Sequence, residues 1–265
     1  MLIAQVSDTH ISAPGQKTCG VAEMDVNLRR CVENINSMTP MPDLVLLSGD
    51  VTHSFSALEA EHAADILSDL AMPLFVVPGN HDDRNILSAV FGAHKCPLNP
   101  QGYANYVIDG YPLRIIALDT LDVGKAGGQM NAEQLDWLRA RLDETPDKPT
   151  VIVAHHPPLR LGVPETDEDG FVEAGALGQL IAQYTNIERF LCGHVHLYTH
   201  SRWCGTIVTT APSIGMQLRL DLSQGAPSEF LLSDPAYLLH HWTPDQALIT
   251  HHIQVSDQNG PYPFT

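Results

Sequence analysis

Five short apolar runs, each followed by Asp, Asn or His, constrain this chain more than any other feature. Continuous apolar runs of this length are typical of strands that are buried on both faces of a sheet. The runs occupy residues 2–6, 44–47, 74–77, 151–154 and 189–192. The polar residues that follow them are Asp8 and His10, Asp50, Asn80 and His81, His155 and His156, and His194 and His196. The sequence therefore predicts a sheet whose buried strands end in polar side chains.

Helix-like stretches lie between these runs. Residues 22–38 and 57–70 separate the first three runs, and residues 131–142 and 173–184 precede the fourth and the fifth. Alternation of strand and helix indicates parallel strands that are joined by helical crossovers. Because ligands bind beyond the carboxyl ends of the strands in such sheets, we expect the five polar clusters to meet at one rim.

The remaining strand signals indicate a second sheet and a cap. Residues 103–108 and 113–118 are joined through Asp109-Gly110, a favourable hairpin turn. Short strands separated by Pro and Gly follow His196, at residues 206–210, 217–222, 229–232, 237–242 and 247–255. We interpret residues 1–200 as the core of the protein. We interpret residues 201–265 as strands that complete the second sheet and form a small β-rich cap.

The net charge, the length of the apolar runs and the cysteine pattern limit the possible partners and location of the protein. The net charge is −17 with histidine counted as neutral, so the surface repels long nucleic acids and anionic membranes. The apolar runs are too short to cross a bilayer, and the N-terminal residues lack the basic leader of a secretory signal. The five cysteines include no CxxC pair and fit reduced thiols. We therefore expect a soluble cytoplasmic protein.

The polar residues at the strand ends form a set of metal ligands. Carboxylate, amide and imidazole groups without cysteine suit manganese, iron, zinc or cobalt. Seven or eight such residues are more than one ion needs, which indicates two ions about 3.5–4 Å apart that share a carboxylate. Asp50 is the natural bridge, because its carboxylate has two oxygens and lies in the middle of the predicted sheet. Residues two apart point the same way in extended backbone, so Asp8 and His10 can face one pocket.

The five polar segments resemble, in order and with fitting gaps, the five motifs of calcineurin-like metallophosphoesterases. The resemblance covers about residues 1–198 and implies an α/β fold of four layers, αββα, in which helices flank two packed mixed β-sheets. The matching segments are Asp8-Thr9-His10, Gly49-Asp50, Gly79-Asn80-His81-Asp82, His155-His156-Pro157 and Gly193-His194-Val195-His196.

The resemblance also implies a role for each residue of the site. It places one ion among Asp8, His10, Asp50 and His196, and a second ion among Asp50, Asn80, His155 and His194. His81 corresponds to a histidine that binds no metal but contacts the phosphate or protonates the leaving oxygen, so Asp50 and His81 are the expected catalytic residues. A hydroxide that bridges the two ions would attack phosphorus in line.

Within this family, the chain looks most similar to class III cyclic-nucleotide phosphodiesterases and bacterial glycerophosphodiesterases. The similar segments are residues 79–84, 117–120, 192–196 and 237–242. We therefore expect hydrolysis of small phosphodiesters, with 3′,5′-cyclic AMP and cyclic GMP first. Glycerophosphodiesters, or a broad range of phosphodiesters and phosphomonoesters, are the alternatives, and a non-catalytic scaffold is a remote one. The relatives commonly form homodimers or higher oligomers through the region after the last histidine motif.

Several further residues have open roles. His156 is expected in the core or behind the metal ligands, and His200, His240 and His241 could line the substrate pocket, although a surface or core position is favoured. The acidic run at residues 165–169 is expected to be a solvated loop that could gate access. Asp82, Asp119 and backbone carbonyls are the candidates for orienting the imidazoles.

Overall fold

The computed structural model describes residues 1–245, 247–256 and 262–264. None of the helices in this part of the chain has the length and apolar character needed to span a bilayer. In chain order the elements are β1 (Leu2–Val6), α1 (Met24–Ser37), β2 (Leu44–Ser48), α2 (Ala57–Leu67), β3 (Leu74–Val77), α3 (Arg84–Phe91), β4 (Tyr106–Ile108), β5 (Arg114–Ala117), β6 (Gly128–Gln129), α4 (Ala132–Asp143), β7 (Thr150–Val153), α5 (Pro164–Asp169), β8 (Phe171–Val172), α6 (Ala174–Ile181), β9 (Ile187–Cys192), β10 (Thr199–Trp203), β11 (Thr206–Thr210), β12 (Met216–Leu218), β13 (Phe230–Leu232), β14 (Ala236–Thr243) and β15 (Ala247–Gln254).

Two large mixed sheets form the centre of the fold. The first has the order β15-β14-β1-β2-β3 and the second has the order β10-β11-β9-β7-β5-β4. Strands β1, β2 and β3 are parallel to one another, as are β5, β7, β9 and β11. Helices α1 and α2 pack on the outer face of the first sheet, and α4 and α6 pack on the outer face of the second. The predicted four-layer αββα class is therefore confirmed.

Strand β2 shows why an unbroken apolar run predicts a strand that is buried on both faces. All five of its residues are buried. Val45 and Leu47 face the helices, whereas Leu44 and Leu46 face the second sheet and pack with residues such as Val151. A strand that is covered on both sides has no solvent face, so its sequence does not alternate between apolar and polar residues.

Helix α4 begins where the sequence indicates it. The Asn131 side chain accepts a hydrogen bond from the Gln134 backbone N–H at 3.0 Å, and the Gln134 side chain accepts one from the Asn131 N–H at 3.2 Å. This capping box satisfies donors that the first turn of a helix leaves unpaired. The helix that it starts covers the second sheet through Leu138 and Leu142.

Two short helices were not expected from the sequence. Helix α3 directly follows the third polar cluster and is capped by Asp83, whose carboxylate accepts from the N–H groups of Asn85 and Ile86. Helix α5 occupies the acidic run that we expected to be a solvated loop. Pro164 opens α5 with a backbone angle suited to a first helical turn.

The strands after residue 200 divide between the two sheets. The sequence assigns them to the second sheet, and β11 does join it. Strands β14 and β15 instead extend the first sheet, because β14 pairs antiparallel with β1 from Leu2↔His241 to Gln5↔Leu238. Strands β12 and β13 form a separate two-stranded sheet.

Candidate metal centre

Four polar side chains from the ends of β1, β2 and β9 converge into a first ligand group. The ligand atoms of Asp8, His10, Asp50 and His196 all lie within 4.8 Å of one another. His10 Nε2 is 3.0 Å from His196 Nε2 and 3.5 Å from Asp50 Oδ2. His196 Nε2 is 3.4 Å from Asp8 Oδ1. The structure thus brings together the four residues that the resemblance assigns to one ion.

A second group forms beside the first and shares Asp50 with it. His155 Nε2 lies 3.4 Å from Asp50 Oδ2 and 3.1 Å from Asn80 Oδ1. His194 Nδ1 lies 3.0 Å from the same Asn80 oxygen. One carboxylate oxygen of Asp50 therefore faces an imidazole of each group, which is the position that a bridging ligand needs.

The loops that carry these residues are left-handed turns rather than extended strands. The φ angle is 51° at Asp8, 41° at His10, 51° at Asp50, 72° at His194 and 53° at His196. Our explanation for the paired residues, extended backbone with side chains on one side, is therefore wrong, although the pairs do converge. Among residues other than glycine, Asp, Asn and His occur most often in this region. Each such residue stores about 1–3 kcal/mol of strain, a feature concentrated at functional sites.

Backbone N–H groups hold both carboxylates in place. Both oxygens of Asp8 accept from the His194 N–H, at 3.0 and 3.1 Å. Asp50 Oδ1 accepts from the His81 N–H at 2.8 Å, which leaves Asp50 Oδ2 for the imidazoles. The two carboxylates are thus oriented by the chain itself.

Three imidazoles are oriented by backbone carbonyls. His155 Nδ1 donates to Ser48 O at 2.8 Å, His196 Nδ1 donates to Met216 O at 2.6 Å, and His81 Nδ1 donates to His53 O at 2.8 Å. A carbonyl only accepts, so each ring carries its proton on Nδ1 and presents Nε2 to the site. Of the candidates taken from the sequence, the backbone carbonyls are the groups that orient these rings.

Asp82 and Asp119 contact the backbone and Arg84 rather than the imidazoles. Buried Asp82 accepts from the N–H groups of Val51, Thr52 and Gly79 and from the Thr52 hydroxyl. It therefore ties the loop that carries Asp50 to the loop that carries Asn80. Asp119 forms a two-pronged ion pair with Arg84, with distances of 2.6 and 3.1 Å.

Of the other histidines with open roles, His156 lies against the second ligand group, where one ring nitrogen of each of His155, His156 and His194 is within 4.8 Å of the other two. His156 is buried, with Nδ1 2.8 Å from the Thr120 hydroxyl and Nε2 3.1 Å from Ala126 O. His240 is buried between the sheets, where it contacts the Gln5 side chain at 3.0 Å. His200 is exposed on β10, and His241 is partly exposed on β14.

Glycine is required where the backbone meets these side chains. Gly193 packs so closely that an added Cβ would lie 2.6 Å from Asp8 Oδ2. Gly49 has a φ angle of +94° and faces the His155 ring, which a Cβ would meet at 2.6 Å from Cγ. Both glycines therefore permit a backbone approach that no other residue allows.

Burial and mutual charge set the protonation of the centre. Burial raises the pKa of Asp50, but the imidazoles of His155, His10 and His81 outweigh burial and hold that pKa well below its usual range. Burial opposes the charged form of His155, yet the carboxylates of Asp50 and Asp8 raise its pKa to about 9. Burial lowers the pKa of His10 well below its usual value. The centre therefore balances one carboxylate with a proton on His155.

The donor atoms of the two groups fit a pair of metal ions. Imidazole nitrogens, carboxylate oxygens and the Asn80 amide oxygen point at common positions. Metal binding replaces protons on ligands, so a cation would take over the charge now supplied by the His155 proton. The donor set therefore suits borderline metals at neutral pH.

A cavity of about 390 Å³ lies over this centre. Its floor includes His10, Asp50, Asn80, His194 and His196 of the ligand groups, together with His53 and His81. Its walls include three residues of the acidic run that we expected could gate access, Glu165, Thr166 and Asp169, and five residues of the predicted cap, Met216, Leu218, Ser228, Glu229 and Phe230. Cys19 and Ala126 also line the wall, and no signal in the sequence pointed to them.

The fold and the centre together define a phosphoesterase with a candidate metal site. The family model described as calcineurin-like phosphoesterase matches residues 1–198, so the chain belongs to that family. The probable glycerophosphodiester phosphodiesterase GpdQ of Arcobacter nitrofigilis is 35% identical over 265 residues, which cover 100% of this chain and 97% of the relative. The 3′,5′-cyclic adenosine monophosphate phosphodiesterase CpdA of Escherichia coli is 28% identical over 218 residues, which cover 82% of this chain and 77% of the relative.

A solved structure agrees with the fold. A dimetal phosphatase from Danio rerio superposes with a TM-score of 0.66 at 15% identity, covering 97% of this chain and 99% of that chain. The family hydrolyses phosphate esters with a dimetal centre, and the chain is a metal-dependent phosphodiesterase. The resemblance seen in the sequence is confirmed.

Proposed function

We propose that this enzyme hydrolyses glycerophosphodiesters at a centre of two metal ions. The observation that carries the proposal is the shared carboxylate, because Asp50 Oδ2 lies 3.5 Å from His10 Nε2 and 3.4 Å from His155 Nε2. One ion would be held by Asp8, His10, Asp50 and His196, and the other by Asp50, Asn80, His155 and His194. Bound metal ions lower the pKa of a coordinated water and offset the charge of the phosphate.

His81 supports the departure of the alcohol. Its Nδ1 hydrogen stays with His53 O, so Nε2 is the nitrogen available to the substrate in the cavity. A protonated His81 can give the Nε2 proton to the leaving oxygen while its ring remains anchored. General acid catalysis of this kind contributes about 10²–10⁴ to a rate.

One observation favours glycerophosphodiesters over cyclic nucleotides, which the sequence ranked first. Similarity to the glycerophosphodiesterase relative extends over the whole chain and therefore includes the segments that wall the cavity. The wall beyond the metal ligands bears Glu165, Asp169 and Glu229, and no lysine or arginine is among the described residues that line it. Such a wall accepts a neutral or cationic leaving alcohol better than one with a further anionic group.

Cyclic nucleotides are the second candidate. A probable cyclic nucleotide phosphodiesterase from Synechococcus is 33% identical over 201 residues, which cover 73% of this chain and 72% of the relative. A cyclic nucleotide also carries no anionic group beyond its diester, so the acidic wall does not oppose it. The two substrates share the reaction at phosphorus and differ in the leaving alcohol.

A substrate panel tests the proposal. The enzyme is reconstituted separately with manganese, iron, zinc and cobalt, which also identifies the metals that support turnover. Values of kcat/KM are compared for glycerophosphoethanolamine, cyclic AMP, bis-p-nitrophenyl phosphate and p-nitrophenyl phosphate. We expect the glycerophosphodiester to give the highest value and the Asp50→Asn variant to be inactive on all four. A higher value for cyclic AMP would favour the second candidate, and an active Asp50→Asn enzyme would contradict the two-metal centre.

Self-association and location are further parts of this proposal. We place a metallophosphoesterase core at residues 1–200 and a cap that mediates homodimers or higher oligomers within residues 201–265. Leu220, Leu222, Leu231 and Leu232, on and after the strands of the β12–β13 sheet, are each more than half exposed, which favours burial against another copy. Light scattering on the purified protein measures the oligomer, and fractionation of cells measures the expected cytoplasmic location.

A further inference from the structure

His194 differs from the other imidazoles of the centre in what holds its outer nitrogen. His155, His196 and His81 each donate to a backbone carbonyl. His194 presents Nδ1 to Asn80, and its Nε2 on the far side of the ring faces Asp169 Oδ2 at 3.8 Å. The outer partner of this ring is therefore a side chain.

Asp169 is placed there by the backbone of its own segment. It is the last residue of α5, and the chain then enters β8, which pairs with β6. The Gly128 N–H donates to Gly170 O at 3.1 Å. A Cβ at Gly127 would lie 2.7 Å from that same carbonyl oxygen, so the absence of a side chain there allows the close packing. At the other end of α5, Glu165 accepts a hydrogen bond from the Ser228 hydroxyl.

We propose that Asp169 is a positioning residue for His194, through which the seating of α5 controls how tightly the second ion is held. The inference rests on the metal-binding role proposed above for His194. A carboxylate that faces Nε2 keeps the proton on that nitrogen and leaves the Nδ1 lone pair directed at the metal position. The present 3.8 Å separation exceeds hydrogen-bond range, and a movement of about 1 Å brings the pair within it.

This arrangement links the cavity wall to the metal centre. Glu165, Thr166 and Asp169 of α5 all line the cavity. A substrate that contacts this wall can therefore shift Asp169, the residue that faces His194. The other oriented imidazoles depend on carbonyls of β2 and β12 and of the loop after β2, which α5 does not carry. Movement of α5 is thus expected to affect the second ion more than the first.

The test compares Asp169→Asn with Glu168→Gln, which removes a charge from the exposed neighbouring position of the same helix. Full-length protein freed of metal is titrated with Mn²⁺ alone, and free Mn²⁺ is followed by electron paramagnetic resonance. We expect two sites in each protein. Loss of an outer partner of a metal-bound histidine typically weakens metal binding 10–100-fold, so one of the two Kd values should rise at least tenfold in Asp169→Asn. Both Kd values should stay within about twofold of the parent in Glu168→Gln, and Asp169→Glu should recover part of the loss.

A second measurement reports the outer nitrogen of His194 in the zinc-loaded protein, where a metal at Nδ1 leaves the ring proton on Nε2. The Nε2–H resonance, assigned by its absence in His194→Gln, should exchange slowly with water in the parent and faster in Asp169→Asn. Equal Mn²⁺ affinity in Asp169→Asn and Glu168→Gln, or equal exchange of the Nε2–H in the parent and Asp169→Asn, would overturn the proposal. The His194→Gln variant tests the metal-binding role of His194 separately from the positioning role of Asp169. If this variant still binds two ions, the proposed metal-binding role of His194 is wrong. If it loses one ion, that role stands, and the comparison of the Asp169 variants then tests the positioning role.

Discussion

Replacing Asp82 by Asn should destabilise the protein by removing the link between two ligand-bearing loops. The Asp82 carboxylate accepts four hydrogen bonds, from the N–H groups of Val51, Thr52 and Gly79 and from the Thr52 hydroxyl, at 2.9 to 3.1 Å. An asparagine has the same shape but offers one acceptor oxygen in place of two. Its NH₂ group takes the place of Oδ1, where the Thr52 hydroxyl can accept from it while donating to His81 O, and the Thr52 N–H loses its acceptor.

The size of the effect follows from these contacts. A buried donor left without an acceptor costs about 1–3 kcal/mol, so the expected loss is about 2 kcal/mol. Burial and the neighbouring Asp50 raise the pKa of Asp82 to about 6, so the comparison belongs at pH 8, where the carboxylate is ionised.

Urea unfolding of the metal-free protein measures this loss. The free energy of unfolding is extrapolated to zero denaturant for the parent, Asp82→Asn and Asp147→Asn, a control at an exposed position. Working without metal keeps the loss of the loop link separate from the loss of bound ions. A change below 1 kcal/mol in Asp82→Asn, or one equal to that of Asp147→Asn, would refute the reasoning.

Three further predictions concern the centre and the core. Asp50→Asn should lose bound metal as well as turnover, because it removes the shared charge; elemental analysis showing two ions per chain in an active variant would contradict the bridging role. His81→Ala should keep both ions while kcat falls about 10²–10⁴-fold, and loss of metal would identify His81 as a ligand. Burial, with Arg189 and His251, lowers the pKa of His240 to about 3 against about 6.5 when unfolded, so the unfolded chain binds the extra proton and stability falls as pH drops below 6.5. Between pH 5.5 and 4, His240→Gln should therefore remove about 1.4 kcal/mol per pH unit from the slope of unfolding free energy, and parallel curves would argue against this origin.

The strands and the rim were predictable because they depend on local sequence. Apolar runs such as Leu44 to Leu47 are buried on both faces, and the polar residues after them meet because the parallel strands of both packed sheets end at the same edge. The ligand geometry was not predictable in detail. The left-handed turns at Asp8 and His196 need the finished packing of neighbouring loops to hold their strain.

The position of the cavity wall and the pairing of the strands could not be predicted from sequence patterns. Helix α5 is short and acidic, and its position depends on contacts with β6 and Ser228. The periodicity of its own residues therefore does not predict where it packs. Strand β14 contains the buried apolar residues Tyr237, Leu238 and Leu239, yet nothing in them specifies β1 as its neighbour. His240 likewise meets Gln5 only because this pairing exists.

The pairing of β14 with β1 has a consequence for biosynthesis. Strand β1 is central in its sheet, and its neighbour on one side, β14, follows roughly 230 residues later, so one edge of β1 stays unpaired while the residues between them are synthesised. Asp8 and His10 follow that strand directly. We therefore expect nascent chains to need chaperone protection and to acquire their metal only after release.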